Sequence, residues 1–369
     1  MKRKLIVMLG AFFAFGQYSI AQGGQEVELT PQEQAYRDSI AALNETNAAI
    51  AQSQEAYNKG IALFEKKSYA EAIKEFEKSV KADPNFTAAY YNKAVAENED
   101  GRFVDAISTL NTLIEKDPSY TKAYFQRGRA YQGKNEFSAA EQDYEKSVKL
   151  NPKDDKAWYN YATLRFLQQD YDGAISMFNK TIEIKPDFAY AYNDKGSCYR
   201  MKGEYAKAIA EYETALRKNP NLVFVLNNIG TTKKNMKDYA GAMAAFNRAL
   251  SIDANFYLAL NNRGATQMDQ GRFDDAIQDF EKAIAINKEY APAYSNLSGV
   301  MFKKKDYSKA KEYADKAIKI DPKYGPAYVN RGMANEMLRD MNAACEDWEK
   351  ADQLGENAGQ IYNSTNCGF

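Results

Sequence analysis

The sequence predicts an all-α solenoid of nine 34-residue helix-turn-helix repeats with N- and C-terminal capping helices. Three registers carry that expectation. Pro84, Pro118, Pro152, Pro186 and Pro220 fall 34 residues apart, and Pro322 lies on the same grid. Ala72, Ala106, Ala140, Ala174, Ala208, Ala242, Ala276, Ala310 and Ala344 hold a second register without a miss. A third holds only small residues: Gly60, Ala94, Gly128, Ala162, Gly196, Gly230, Gly264, Ser298 and Gly332. Self-similarity at a fixed period of this size is the mark of a repeat architecture, in which each unit buries its apolar face only against its neighbours.

Each part of the repeat has a physical reading. The small residue sits on the first helix, A, and the constant Ala on the second, B, so that the two backbones approach closely. Aromatic residues such as Trp158 and Phe178 fill the space around that contact. A further aromatic register runs Tyr69, Phe103, Phe137, Tyr171, Tyr205, Tyr239, Phe273 and Tyr307, with Met341 as the exception. Gly101, Asn135, Gly203 and Gly271 end their A helices, where a left-handed residue is favoured. The recurrent Pro follows helix B and stops it, because it has no N–H and collides with the preceding turn.

This order of aromatic, small residue, aromatic, Ala, aromatic, Ala and Pro resembles the tetratricopeptide repeat. The fourth repeat shows it as Trp158, Ala162, Tyr171, Ala174, Phe178, Thr181 and Pro186. The fifth reads Tyr192, Gly196, Tyr199, Tyr205, Ala208, Tyr212, Ala215 and Pro220. The resemblance covers nine repeats over 53–358, the terminal two matching least well. It implies a right-handed superhelix whose A helices line the concave surface, and a role in binding other proteins.

The two ends differ from the grid. Lys2, Arg3 and Lys4, an apolar run from Leu5 to Phe15 and the small-residue site Ser19-Ile20-Ala21 predict a signal peptide over 1–21, cleaved after Ala21. The run is too short for a spanning helix of about 20 residues. The mature chain is thus expected to be exported, periplasmic or secreted, and not membrane-spanning. Residues 22–52 are expected to form a linker and a capping helix. Thr30-Pro31-Gln32-Glu33 reads as a helix start, and Tyr36, Ile40, Leu43 and Ile50 follow at helical spacing to pack on repeat 1. The alternative for this stretch is a coiled-coil segment that meets a partner. At the other end, Gly355 is expected to end the last B helix, about Glu356 to Asn363 to form a short capping helix, and 359–369 to make up the C-terminal tail. Cys345 and Cys367 are expected to pair, as disulfides persist outside the cytoplasm, and Cys198 reads as a small buried residue.

Composition limits the chemistry. The chain has 369 residues, a formal charge of −1 and no histidine, so the usual neutral-pH base and commonest metal ligand are absent. Loss of the leader takes the basic count from 49 to 46 against 50 acidic residues, a mature charge of −4 that opposes a nucleic-acid partner. Phosphate loops, paired cysteines and nucleophile elbows are missing from the sequence. The expectation is a non-catalytic protein, without cofactor or metal, that acts as a monomer or weak oligomer.

The candidate site is the row two residues before the small A-helix position: Asn58, Asn92, Gln126, Asn160, Asp194, Asn228, Asn262, Asn296 and Asn330. One residue earlier come Asn193, Asn227 and Asn261, then Ser295. An Asn amide offers two donors and an acceptor, which suits both halves of a peptide bond. The expected peptide-binding residues are Asn160, Asn193, Asp194, Asn227, Asn228, Asn261, Asn262 and Asn296, which would hold an extended segment of an envelope partner. On this reading Asn228 and Asn262 stand clear of the helix core, while the alternative gives the row to housekeeping of the repeat backbone. Lys122, Lys156, Arg129 and Arg200 would receive acidic side chains. Some members of the resembling family carry a carboxylate clamp, whose first Lys is replaced here by Tyr57, Tyr91, Phe125 and Tyr159. A second function class is a glycan- or polymer-handling assembly factor of the envelope, with Tyr190, Phe224 and Tyr257 as sugar platforms.

Overall fold

The computed structural model describes residues 30–367. The expected signal peptide and the cleavage site after Ala21 lie outside the described residues. Nineteen helices and no strand are found among those described. They fall into two compact units that divide after Asp100. The first holds α1 (Pro31–Glu65), α2 (Tyr69–Ala82) and α3 (Thr87–Glu99). The second holds α4 (Phe103–Lys116), α5 (Thr121–Gly133), α6 (Phe137–Leu150), α7 (Asp155–Leu167), α8 (Tyr171–Ile184), α9 (Ala189–Met201) and α10 (Tyr205–Lys218). It continues through α11 (Val223–Asn235), α12 (Tyr239–Ile252), α13 (Tyr257–Asp269), α14 (Phe273–Ile286), α15 (Ala291–Lys303), α16 (Tyr307–Ile320), α17 (Gly325–Met337), α18 (Met341–Gln353) and α19 (Asn357–Asn366).

The repeat punctuation is visible in the backbone. Each B helix opens on the aromatic register, from Tyr69 to Tyr307, and on Met341 in the last. Each A helix ends in a left-handed residue. Gly101, Gly203 and Gly271 take φ of 75°, 77° and 76°, and Asn135 takes 60°. The same slot elsewhere holds Lys67, Gln169, Lys237, Lys305 and Arg339, all at positive φ, so the turn is imposed by the stack even where no glycine stands. The grid proline has a further use. Its carbonyl accepts from an aromatic on the next A helix: Tyr124 to Pro118, Trp158 to Pro152, Tyr192 to Pro186 and Tyr328 to Pro322, at 3.0–3.2 Å.

The core is a line of repeated contacts. All nine register alanines are fully buried. Four residues on, Phe76, Tyr144, Phe178, Tyr212, Phe246, Phe280 and Trp348 are among the largest buried side chains. Most of these rings pack directly against the small A-helix residue; a Cβ built on Gly230 would sit 2.5 Å from the Phe246 ring. A and B helices are also pinned by ion pairs 16 residues apart: Arg127 with Asp143, Lys195 with Glu211, Arg263 with Asp279 and Arg331 with Asp347. Where the A position is uncharged, as at Tyr161, Ile229 and Leu297, the B position is uncharged too, as Met177, Ala245 and Tyr313. A lone buried charge is thereby avoided.

Within the second unit, successive odd-numbered helices from α5 to α17 touch one another, and successive even-numbered helices do not. The A helices therefore line the inner side of its curve. At its end, α19 packs on α18, where Tyr362 stacks on Trp348 at 5.1 Å. A Cys345–Cys367 disulfide ties the end of α19 to α18.

The N-terminal capping helix expected before Ser53 is a different object. Pro31–Glu65 is one uninterrupted helix, started by the Thr30–Glu33 capping box. No glycine or proline stands between Pro31 and Gly60 to turn the chain back, so the helix runs straight on into repeat 1. Tyr36, Leu43 and Ile50 are 70%, 55% and 49% exposed, so these residues do not pack on repeat 1.

Candidate functional site

The candidate residues lie on the inner, odd-numbered helices, held at the register that the ring-to-small-residue contacts set. The two Asn rows interlock. Asn228 Nδ2 donates to Asn193 Oδ1 at 2.9 Å, Asn262 to Asn227 at 2.9 Å, and Asn296 to Asn261 at 2.8 Å. Asn330 donates to the Ser295 hydroxyl at 2.9 Å. Each bond joins one repeat to the next across 35 residues. In the first unit Asn92 donates to the Tyr57 hydroxyl in the same way, at 2.8 Å.

This corrects the expectation that Asn228 and Asn262 stand clear of the stack. One amide hydrogen of each fastens neighbouring repeats, and the acceptors Asn193 and Asn261 are only 6% and 5% exposed. The structure brings six of the eight candidates together as three bonded pairs. The other two behave differently. Asp194 takes the place of an Asn and accepts from the Tyr159 hydroxyl at 2.5 Å and from Asn193 Nδ2 at 2.9 Å. Asn160 makes no such link, because the partner slot one repeat earlier is Phe125. Its Nδ2 donates to its own helix at Lys156 O, 2.8 Å.

Where the ladder is interrupted there is a pocket of ≈ 310 Å³, lined by Phe125, Gln126, Arg129, Lys156, Tyr159, Asn160 and Phe188. Phe125, Tyr159 and Phe188 give it an aromatic part, and the polar part includes Arg129 and the exposed Lys156. Arg129 is held against Gln126, its Nη1 donating at 3.2 Å. Burial raises the Asp194 carboxyl above its ordinary range, opposed by the donors Tyr159 and Asn193. Burial likewise pushes the Cys198 thiol up to about 12, which leaves it an inert core residue. Among the described residues no cluster of His, Cys, Asp and Glu is placed to hold a metal ion, and no helix is long and apolar enough to cross a membrane.

Tyr159 and the pocket were missed from sequence because the two rows were read as parallel stripes. The 35-residue spacing between a row residue and its partner was the available signal. The expected sugar platforms are engaged with protein. Tyr190, 47% exposed, stacks on Phe224 at 5.5 Å, and Tyr257 meets Tyr290 edge-on at 4.9 Å.

Comparison with known proteins agrees with this geometry. Family models described as tetratricopeptide repeat match residues 57–121, 125–187, 189–222, 225–256 and 267–331. The chain belongs to the tetratricopeptide-repeat family. Solved structures share the fold at low identity. A tetratricopeptide-repeat protein from Parabacteroides merdae is 17% identical with a TM-score of 0.58, covering 67% of this chain and 99% of its own. The C-terminal part of a tetratricopeptide-repeat protein from Cytophaga hutchinsonii is 18% identical with a TM-score of 0.50, covering 65% and 98%. A chain of the APC/C hetero-tetramer Cut9-Hcn1 is 19% identical with a TM-score of 0.53, covering 84% of this chain and 58% of that one. This chain thus spans little more than half of that structure's length. No curated protein matches. A tetratricopeptide-repeat stack is a protein-interaction scaffold, so the fold implies protein partners.

Proposed function

We propose that this tetratricopeptide-repeat protein is a non-catalytic scaffold of the cell envelope or periplasm that binds an extended peptide segment along its inner face. The interruption of the Asn ladder at Phe125 and Asn160 carries the reading. There the Asn160 amide is not tied to the preceding repeat, and its side-chain oxygen lies by a pocket lined by Phe125, Tyr159, Phe188 and the exposed Lys156. An extended chain can place a main-chain N–H on that oxygen, an apolar side chain among Phe125, Tyr159 and Phe188, and an acidic group on Lys156. One repeat further on, Asp194 meets only neutral donors and suits a basic side chain of the same segment.

The test uses peptides selected by display of a random linear library on the purified chain. Lys156→Ala with Asn160→Ala removes two contacts, each worth about 1 kcal/mol or somewhat more, and should weaken a selected peptide by at least about tenfold. Its melting temperature should hold, because neither side chain joins two repeats. Unchanged affinity in a well-folded double variant rejects the site. The envelope address has its own test: protein expressed in a bacterial host should begin at Gln22 by intact mass.

A further inference from the structure

The exposed start of α1 carries an apolar stripe in register with the repeat core. Tyr36, Ile40, Leu43, Asn47, Ile50, Gln54, Tyr57, Ile61 and Phe64 follow one another by alternate steps of four and three. That is a heptad seam. Its last three residues, Tyr57, Ile61 and Phe64, pack against Ile73 and Phe76 of α2. The cover stops near Ser53, whose hydroxyl donates to Ser79 O at 2.9 Å close to the end of α2. Beyond it, Tyr36, Leu43 and Ile50 continue the same seam, exposed among the described residues.

We propose that a second copy of this chain covers the seam, as an antiparallel two-stranded coiled coil formed by residues 31–52 of each protomer. Direction follows from α2, which runs antiparallel to α1 where it fills the seam. A copy of the overhang laid antiparallel continues the line of α2 end to end. A parallel copy would bring the two α2 helices into one seam. Register follows from Ser53, the point at which the seam is already filled. Pairing the overhangs along their full length sets Ile40 against the partner's Leu43 and Tyr36 against the partner's Asn47. The two-fold axis makes each of these contacts occur twice, as an isologous interface does. The phenol and the amide then meet as hydrogen-bonding partners in two layers of the seam, and a polar Asn layer is a device that fixes register in coiled coils. The flanking positions Arg37, Ser39, Asn44, Thr46 and Ala51 set no like charges against each other. Ala41, Ala42, Ala48 and Ala49 keep the outer face small. The overhang is about 33 Å long at 1.5 Å per residue, three heptads' worth, which suits a reversible dimer.

Sedimentation equilibrium of the full purified chain across the micromolar range tests this. A monomer–dimer equilibrium is expected, and Leu43→Lys should weaken it at least about tenfold while the helical signal and melting curve of the repeats persist. Ile40→Cys mixed with Leu43→Cys should give an oxidised cross-link between unlike chains that neither variant gives alone. A chain that is monomeric throughout overturns the proposal, whether the seam then holds residues upstream of Thr30 or another protein. A dimer unaffected by Leu43→Lys, or a cross-link in each cysteine variant alone, overturns it as well.

Discussion

Replacing Asn228 by Ala separates the two roles of the inner-face amides. In the folded chain Asn228 Nδ2 lies 2.9 Å from Asn193 Oδ1, and Asn193 is buried to 6% exposure. Truncation removes that bond and leaves a buried carbonyl oxygen short of its donor, a loss of about 1–3 kcal/mol. Alanine is the better helix former by about 0.6 kcal/mol, which offsets part of it. The net expectation is a destabilisation of about 1–2 kcal/mol. The bond joins α9 to α11, so the loss falls on the coupling between neighbouring repeats, the term that holds a solenoid together. Equilibrium unfolding in urea reads it as a lower midpoint. Asn160→Ala is the matched control: its amide bonds only to Lys156 O of its own turn, so its stability should stay within about 0.5 kcal/mol of the parent. If the two variants unfold at the same midpoint, the ladder does not couple repeats and the geometric argument fails.

Three further outcomes are expected. Gln169→Gly should stabilise the chain by up to about 1 kcal/mol, since Gln169 holds φ of 64° where a side chain is strained; a drop in melting temperature would contradict it. Asp194→Asn should stabilise at neutral pH, because burial holds the carboxyl above its ordinary 3.8 and an Asn there can donate to Tyr159 as Asn92 does to Tyr57. Its advantage is absent below the unfolded value, grows as pH rises through the folded value and then levels off, so an advantage that shrinks with rising pH in urea titrations refutes the assignment. Cys345→Ser should cost about 3 kcal/mol by opening the loop of 22 residues, felt mainly by α17 to α19; peptide mapping of the oxidised parent that finds both thiols free would remove its basis.

Much of the site was within reach of the sequence, and one error shows where it was not. Asn193, Asn227 and Asn261 were found as a row, and so was the neighbouring row, because repetition marks positions. What each amide does depends on the residue opposite it in the preceding repeat. At Asn228 that residue is Asn193, and the amide fastens the stack. At Asn160 it is Phe125, and the amide is left with its own helix. A one-dimensional pattern records which positions recur, whereas hydrogen bonds are satisfied between atoms in space.

The ends show the same division. The capping box at Thr30 and the seam of Tyr36, Ile40, Leu43 and Ile50 were legible because caps and helical periodicity are local. How much of that helix is covered was decided by the stack. With no breaker before Gly60, α1 is continuous, and α2 is long enough to cover only its last part. The sequence alone determined the 34-residue repetition, the turns marked by glycine and proline and the constant Ala and small-residue contacts, because repetition multiplies each local signal ninefold. Only the tertiary structure decided that the inner amides bond across repeats and that Gln169 and Lys237 adopt a left-handed turn like Gly203. The same holds for the uncovered apolar seam, because each of these depends on where a neighbouring element begins and ends.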